Sequence, residues 1–168
     1  KGIDDLIKAL PEGLTLKVIG RPYDEDYLRD LRALADGKRV VFRHECTDAE
    51  LVRAYRESMC IALPSVYRTM YGDETRVPEL LGQTLLEGMA CEAPAVSTNV
   101  ASLPEVVEDG VTGFVVPPNS PDALGAKLRW LGEHQAEARE MGNAGRRRVM
   151  EKFSWPAVVD RCLEIYAK

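Results

Sequence analysis

The sequence predicts an α/β domain: a Rossmann-like parallel sheet with helices on both faces. Three observations predict it. Short apolar runs alternate with helix-period patterns from one end of the 168 residues to the other. Most connections between them are short, which calls for right-handed crossovers and parallel strands. The one long connection follows a strand end, where open α/β sheets bind ligands.

The elements can be justified in order. Residues 3–10 place Ile3, Leu6, Ile7 and Leu10 on one helical face, and Pro11 and Gly13 stop it. Residues 14–19 form an apolar run with Lys17 as its one charge, a buried strand. Gly20-Arg21-Pro22 turns into a helix over 23–35, with Tyr27, Leu28, Leu31 and Leu34 inward and Gly37 as its stop. Residues 39–42 are a second strand. Asp48 is the expected cap of a helix running to Glu57, with Leu51, Val52 and Tyr55 as its apolar side. Residues 59–63 are a third strand, ended by Pro64-Ser65.

Residues 66–77 are a polar and aromatic loop, of a length that is often functional. It reads either as an element that closes over a ligand or as a surface elaboration. A helix then starts at Gly82, with Leu85, Leu86 and Met89 inward. A fourth strand over 93–98, a short helix over 102–107 with Pro104 in its first turn, and a fifth strand over 113–116 follow. Helices over 121–132 and 135–152 come next. The last helix starts at Pro156 and runs to about residue 168.

Composition excludes several classes. The net charge of −5 argues against broad nucleic-acid binding. No apolar run approaches the ~20 residues of a membrane span. No signal peptide is visible. Cys46, Cys60, Cys91 and Cys162 are widely spaced, with no metal pair or disulfide framework, which suits a reducing, cytoplasmic compartment. His44 and His134 are too scattered for a histidine metal site.

The stretch 76–92 carries the chemistry. Helix N-termini present unpaired amides and partial positive charge, and a glycine at the entrance admits a ligand. Gly82, Gln83 and Thr84 therefore form a candidate phosphate cradle. Glu79 precedes it and Glu87 lies one turn inside. Behind a phosphate, Glu87 is placed to accept hydrogen bonds from a vicinal diol such as ribose. Glu79 can do the same for hydroxyls beyond the phosphate. On this stretch alone, Glu87 reads equally as a solvated helix residue and Glu79 as a favourable N-terminal charge.

The motifs together resemble the C-terminal domain of retaining GT-B glycosyltransferases, family 4 (group 1) type. Glu79-x7-Glu87 with Gly82 between resembles the family's Glu-x7-Glu signature. Lys1-Gly2, Leu16–Gly20, Val41-Phe42 with Asp48–Leu51, and Leu63-Pro64-Ser65 match in order. So do Leu85–Cys91, Leu103–Val107, Asp109–Val116 and Phe153-Ser154-Trp155. Four departures bear on donor preference rather than on the fold. Leu80-Leu81 replaces Pro-Phe, Glu92-Ala93 replaces Gly-Thr, Ala101-Ser102 replaces Gly-Gly, and His44 replaces a glycine.

The resemblance implies a site for a nucleotide-diphosphate sugar, linked to UDP, GDP or ADP. Glu79, with Leu80 and Leu81, would contact donor-sugar hydroxyls, and Glu87 the ribose. Gly82, Gln83 and Thr84 would hold the diphosphate with Lys1, which otherwise reads as a free terminus. The base would lie near Cys46, Thr47 and Asp48. No residue of this chain is assigned a catalytic role. No metal or other cofactor is expected, because helix amides and basic groups would stabilise the departing diphosphate.

For the whole enzyme the expected reaction is hexosyl transfer with retained configuration to a glycan, lipid or small molecule. The resemblance also implies an N-terminal acceptor domain and a first Gly-Arg strand that have no counterpart in residues 1–168. The isolated domain is then expected to bind nucleotide without catalysis. Its last helix, 154–168, would cross to that other domain. Arg146-Arg147-Arg148 reads as a solvated face or as a contact to anionic lipid, since some relatives are peripheral membrane enzymes. Two other readings share these binding residues: half of a sugar-nucleotide epimerase, and a non-catalytic nucleotide-sensing domain.

Overall fold

A computed structural model describes residues 1–167. Five strands, β1 (Leu16–Ile19), β2 (Val40–Arg43), β3 (Ile61–Leu63), β4 (Ala95–Thr98) and β5 (Gly113–Val116), all pair in parallel. Eight helices accompany them. These are α1 (Ile3–Ala9), α2 (Glu25–Leu34), α3 (Asp48–Glu57), α4 (Gln83–Ala90), α5 (Leu103–Val106), α6 (Pro121–Glu133), α7 (Gln135–Lys152) and α8 (Trp155–Tyr166). Lys168, where the last helix was expected to end, lies outside the described residues.

The apolar periodicity explains the layers. One core cluster joins Leu6 of α1, Val96 of β4 and Phe114 of β5 to Leu124, Leu128 and Leu131 of α6. A second, on the other face, joins Leu63 of β3 to Leu85 and Met89 of α4, Leu103 and Val106 of α5, and Val149 of α7. β4 is buried along its whole length, as a strand covered on both faces must be.

The sheet is split. β1 pairs only with β2, and β3 only with β4, which continues to β5. Between β1 and β3 runs a groove of about 550 Å³, lined among others by Leu6, Leu14, Val18, Tyr55, Cys60 and Ala62. Each of the two strands thus has a ladder partner on one side only.

Several boundaries differ from expectation. The cap of α3 is Thr47, not Asp48: its side chain accepts from the Glu50 amide while the Glu50 carboxylate accepts from the Thr47 amide, a capping box. Val52, expected inward, is exposed. Asp4 and Asp5, on the same helix as the predicted apolar face, are buried.

The 66–77 loop is a docked hairpin. The Thr75 amide donates to the Tyr67 carbonyl at 2.9 Å and the Thr69 amide to Asp73 at 2.9 Å. Its tip is pinned to α1, where Asp4 accepts from the Met70 amide at 2.9 Å and from the Tyr27 hydroxyl at 2.9 Å. Tyr71 stands edge-on to Tyr27, with ring centroids 6.1 Å apart. Asn119 holds the Arg68 carbonyl at 2.9 Å.

No residue of α8 is buried, and Trp155, Leu163, Ile165 and Tyr166 of that helix are well exposed. Of the three arginines read as a solvated face, two are occupied. Arg148 donates to the carbonyls of Glu105 and Val106, and Arg146 to that of Ala90. Among the described residues no helix is long and apolar enough to cross a membrane.

Candidate donor-binding site

The site forms where α1, the end of β3 and the start of α4 meet. Gly2 begins α1 at φ 67°, and a side chain there would stand 1.9 Å from the Pro64 carbonyl oxygen. Only glycine fits that approach. It presses the N-terminal end of α1 against the strand end and delivers Lys1 to the start of α4. Gly82 plays the matching part. It holds φ 74°, and a Cβ would lie 2.8 Å from the Leu103 side chain. No side chain of residue 82 caps α4, so the amides of Gln83 and Thr84 keep the free donors of a helix first turn.

Glu79 stands between these two parts. One carboxylate oxygen accepts from the Gly82 and Leu80 amides, each at 3.1 Å. The other accepts from Lys1 Nζ at 2.6 Å. Burial works to raise the Glu79 carboxyl, but the Lys1 bond and the Gly82 and Leu80 amides outweigh it and hold it below its ordinary value. Lys1 Nζ also reaches the Pro78 carbonyl at 3.4 Å. Leu80 and Leu81 are exposed beside Glu79, and the Ser102 hydroxyl ties down the Leu80 carbonyl.

Glu87 lies on the outer side of α4, exposed, as the helical pattern of Leu85, Leu86 and Met89 requires. It is not merely solvated. Its Oε2 accepts from the Tyr55 hydroxyl at 3.0 Å. Tyr55 is buried on α3, and burial first, then the bond to Glu87, pushes its phenol up, so that it stays a donor.

Lys1, Glu79, Leu80 and Gly82 are therefore joined by hydrogen bonds, with Gln83 and Thr84 next along the helix and Glu87 one turn further. Cys46, Thr47 and Asp48 sit at the start of α3, and the bonds of Cys46 and Thr47 stay within residues 46–51. Thr47 is committed to its capping box. The link between this end and the Glu79–Glu87 stretch is α3 itself, which carries Tyr55 two turns on. The sequence pattern alone makes Tyr55 an apolar position. A tyrosine on an inner face needs a partner for its hydroxyl, and that was the available signal. Among the described residues, no group of three or more His, Cys, Asp or Glu side chains is placed to hold a metal.

Residues 1–148 match the family model described as glycosyl transferases group 1. The chain belongs to the group 1 glycosyltransferase family. Sequence relatives agree with this. Over 98 residues, 55% of this chain and 25% of the relative, it is 40% identical to alpha-maltose-1-phosphate synthase of Mycobacterium tuberculosis. Over 162 residues, 92% of this chain and 41% of the relative, it is 33% identical to a GDP-mannose-dependent alpha-(1-6)-phosphatidylinositol monomannoside mannosyltransferase of Mycolicibacterium smegmatis. The chain thus spans from a quarter to about two-fifths of the length of these curated relatives.

Solved structures place the fold. Sucrose-phosphate synthase from Thermosynechococcus elongatus superposes with a TM-score of 0.81 at 28% identity, over 99% of this chain and 42% of that one. Anabaena HepE, in complex with UDP and glucose, gives 0.84 at 20% identity, over 99% and 45%. The fold of this group 1 domain thus matches the Rossmann-like C-terminal half of GT-B glycosyltransferases.

Proposed function

We propose that this domain binds the nucleotide-diphosphate sugar of a retaining, family 4 hexosyltransferase. The observation that carries the reading is the junction of Lys1, Glu79 and the Gly82 amide at the start of α4, with Glu87 eight residues beyond Glu79. A lysine and helix-start amides suit a diphosphate. Glu79, with Leu80 and Leu81, would take sugar hydroxyls, and Glu87 the ribose diol. Cys46, Thr47 and Asp48, at the start of the helix that reaches Glu87, would lie near the base. The complex of HepE with UDP and glucose supports a nucleotide sugar as the ligand class.

In transfer, charge develops on the departing diphosphate. Lys1 and the amides of Gly82 to Thr84 are fixed donors that would stabilise it without a metal. Glu79 and Glu87 hold hydroxyls, and neither is assigned the role of nucleophile. The acceptor is expected on a second domain, so the 168-residue chain should bind donor and transfer nothing. A cytoplasmic setting, with α8 packing on that domain, fits this reading.

Calorimetric titration with UDP, GDP and ADP tests the proposal. One diphosphate should bind, and Glu87→Ala should weaken it. Binding that Glu87→Ala leaves intact contradicts the ribose role, and sugar transfer by the chain alone contradicts the donor-only reading.

A further inference from the structure

We infer that Tyr55 is a positioning residue that sets the ribose selectivity of the donor site by fixing the Glu87 carboxylate. The inference rests on the donor-site reading above and deepens it. Three observations carry it. Glu87 is an exposed side chain on α4, and a free glutamate loses rotamer entropy when a ligand orders it. Here one of its oxygens is already taken by the Tyr55 hydroxyl at 3.0 Å. Tyr55 itself is 8% exposed, so its ring is held by packing and its hydroxyl cannot swing away.

The geometry leaves the other carboxylate oxygen, and a remaining lone pair on Oε2, for a ligand. Two adjacent hydroxyls match a carboxylate with one oxygen fixed in advance. The ordering cost is met in the folded protein rather than on binding. The same helix that carries Tyr55 begins at the Thr47 capping box, next to the residues proposed for the base. Base and ribose contacts would then be set by one rigid element. Tyr55 does not touch the ligand in this account; it acts through Glu87.

The experiment compares UDP, GDP and ADP with their 2′,3′-dideoxy counterparts, titrated against the 168-residue chain and its Tyr55→Phe variant. The unaltered chain should prefer the ribose form. Tyr55→Phe should cut that preference roughly tenfold, the worth of a hydrogen bond to a charged group, and leave dideoxy binding unchanged. Tyr55→Phe added to Glu87→Ala should change nothing further. If Tyr55→Phe does not fold, Glu87→Asp draws the carboxylate back by one methylene without altering α3, and should lose the same preference.

An intact ribose preference in Tyr55→Phe, or in Glu87→Asp where that replaces it, overturns the inference. An equal loss for both sugar forms does so too, because it marks a merely structural role. If the unaltered chain binds both forms equally, the ribose role of Glu87 falls and this inference with it. If it binds none of the six, the donor reading itself is overturned.

Discussion

Lys1 and Glu79, 78 residues apart in sequence, meet at 2.6 Å, with Glu79 also on the Gly82 amide at 3.1 Å. The Glu79 carboxylate thus occupies donors that a diphosphate is proposed to use. Half of the Lys1 side chain is solvated, so the pair adds little to stability. Its sense is competition. Glu79→Gln should bind inorganic pyrophosphate more tightly, by about three- to tenfold, because it removes one negative charge from the cradle. Lys1→Ala should bind it more weakly by a similar factor. Both are read by calorimetry at low salt.

The same contacts give a pH dependence. The Glu79 carboxyl is held below its ordinary value of 4.5. Its charged form is therefore favoured by folding. That contribution is fully present above 4.5 and is lost as pH falls through the depressed folded value. In a carbon-13 titration Glu79 should ionise below 4.5, and in Lys1→Ala its midpoint should move up. A midpoint unmoved by Lys1→Ala would remove the ion pair from the account.

The end of α4 stores strain. The Ala93 amide reaches the Gly88 carbonyl at 3.0 Å and the Glu92 amide that of Met89 at 3.0 Å, the Schellman pattern. This puts Glu92 at φ 68°, where the family commonly has glycine. Left-handed backbone costs a side-chain-bearing residue about 1–2 kcal/mol, partly offset by the larger unfolded freedom of glycine. Glu92→Gly should stabilise by about 0.5–1 kcal/mol in urea denaturation. Ala101, at φ 49° where the family has glycine too, should respond in the same direction.

Asp4 holds the 66–77 hairpin. It is 1% exposed and accepts from Tyr27 and from Met70. Asp4→Ala leaves a part-buried hydroxyl and a backbone amide without their acceptor, and should cost about 1–3 kcal/mol. Tryptic cleavage at Arg68 and Arg76 should become faster. Cleavage at the unaltered rate would mean the hairpin is held elsewhere.

Thr47 closes the capping box of α3, and Thr47→Ala should cost about 1 kcal/mol. Bonds from the Thr47 amide and hydroxyl, then from Arg43, draw Glu50 down to about 2. Its stabilising effect is complete above 4.5 and fades between there and about 2 as pH falls. Thr47→Ala should therefore flatten the acid limb of the stability profile.

The alternation of strands and helices was legible because short apolar runs and helix-period apolar faces supply the two core clusters. β5 and α7 fell where the pattern put them. Glu79, Gly82 and Glu87 were legible because local chemistry marks a helix start. What escaped depends on partners far along the chain. Asp4 lies buried because Tyr27 and Met70, 23 and 66 residues away, satisfy it. Tyr55 reaches across 32 residues to Glu87, and Arg148 across 42 and 43 to the carbonyls of Val106 and Glu105. No window of sequence contains both members of such a pair. At position 47 two good caps stood side by side, and Thr47 won because Glu50 lies three residues on, where a capping box needs it. The split between β1 and β3 is likewise a property of strand pairing, which periodicity does not report.

The central claim is a diphosphate at the start of α4. Nitrogen-15 spectra of the chain during titration with UDP, GDP and ADP, and with the matching nucleosides, test it most directly. One diphosphate should shift the amides of Gly82, Gln83 and Thr84 and the Lys1 ammonium, and its nucleoside should leave them in place. Shifts confined to other surfaces, or the same shifts from the nucleoside alone, would contradict it.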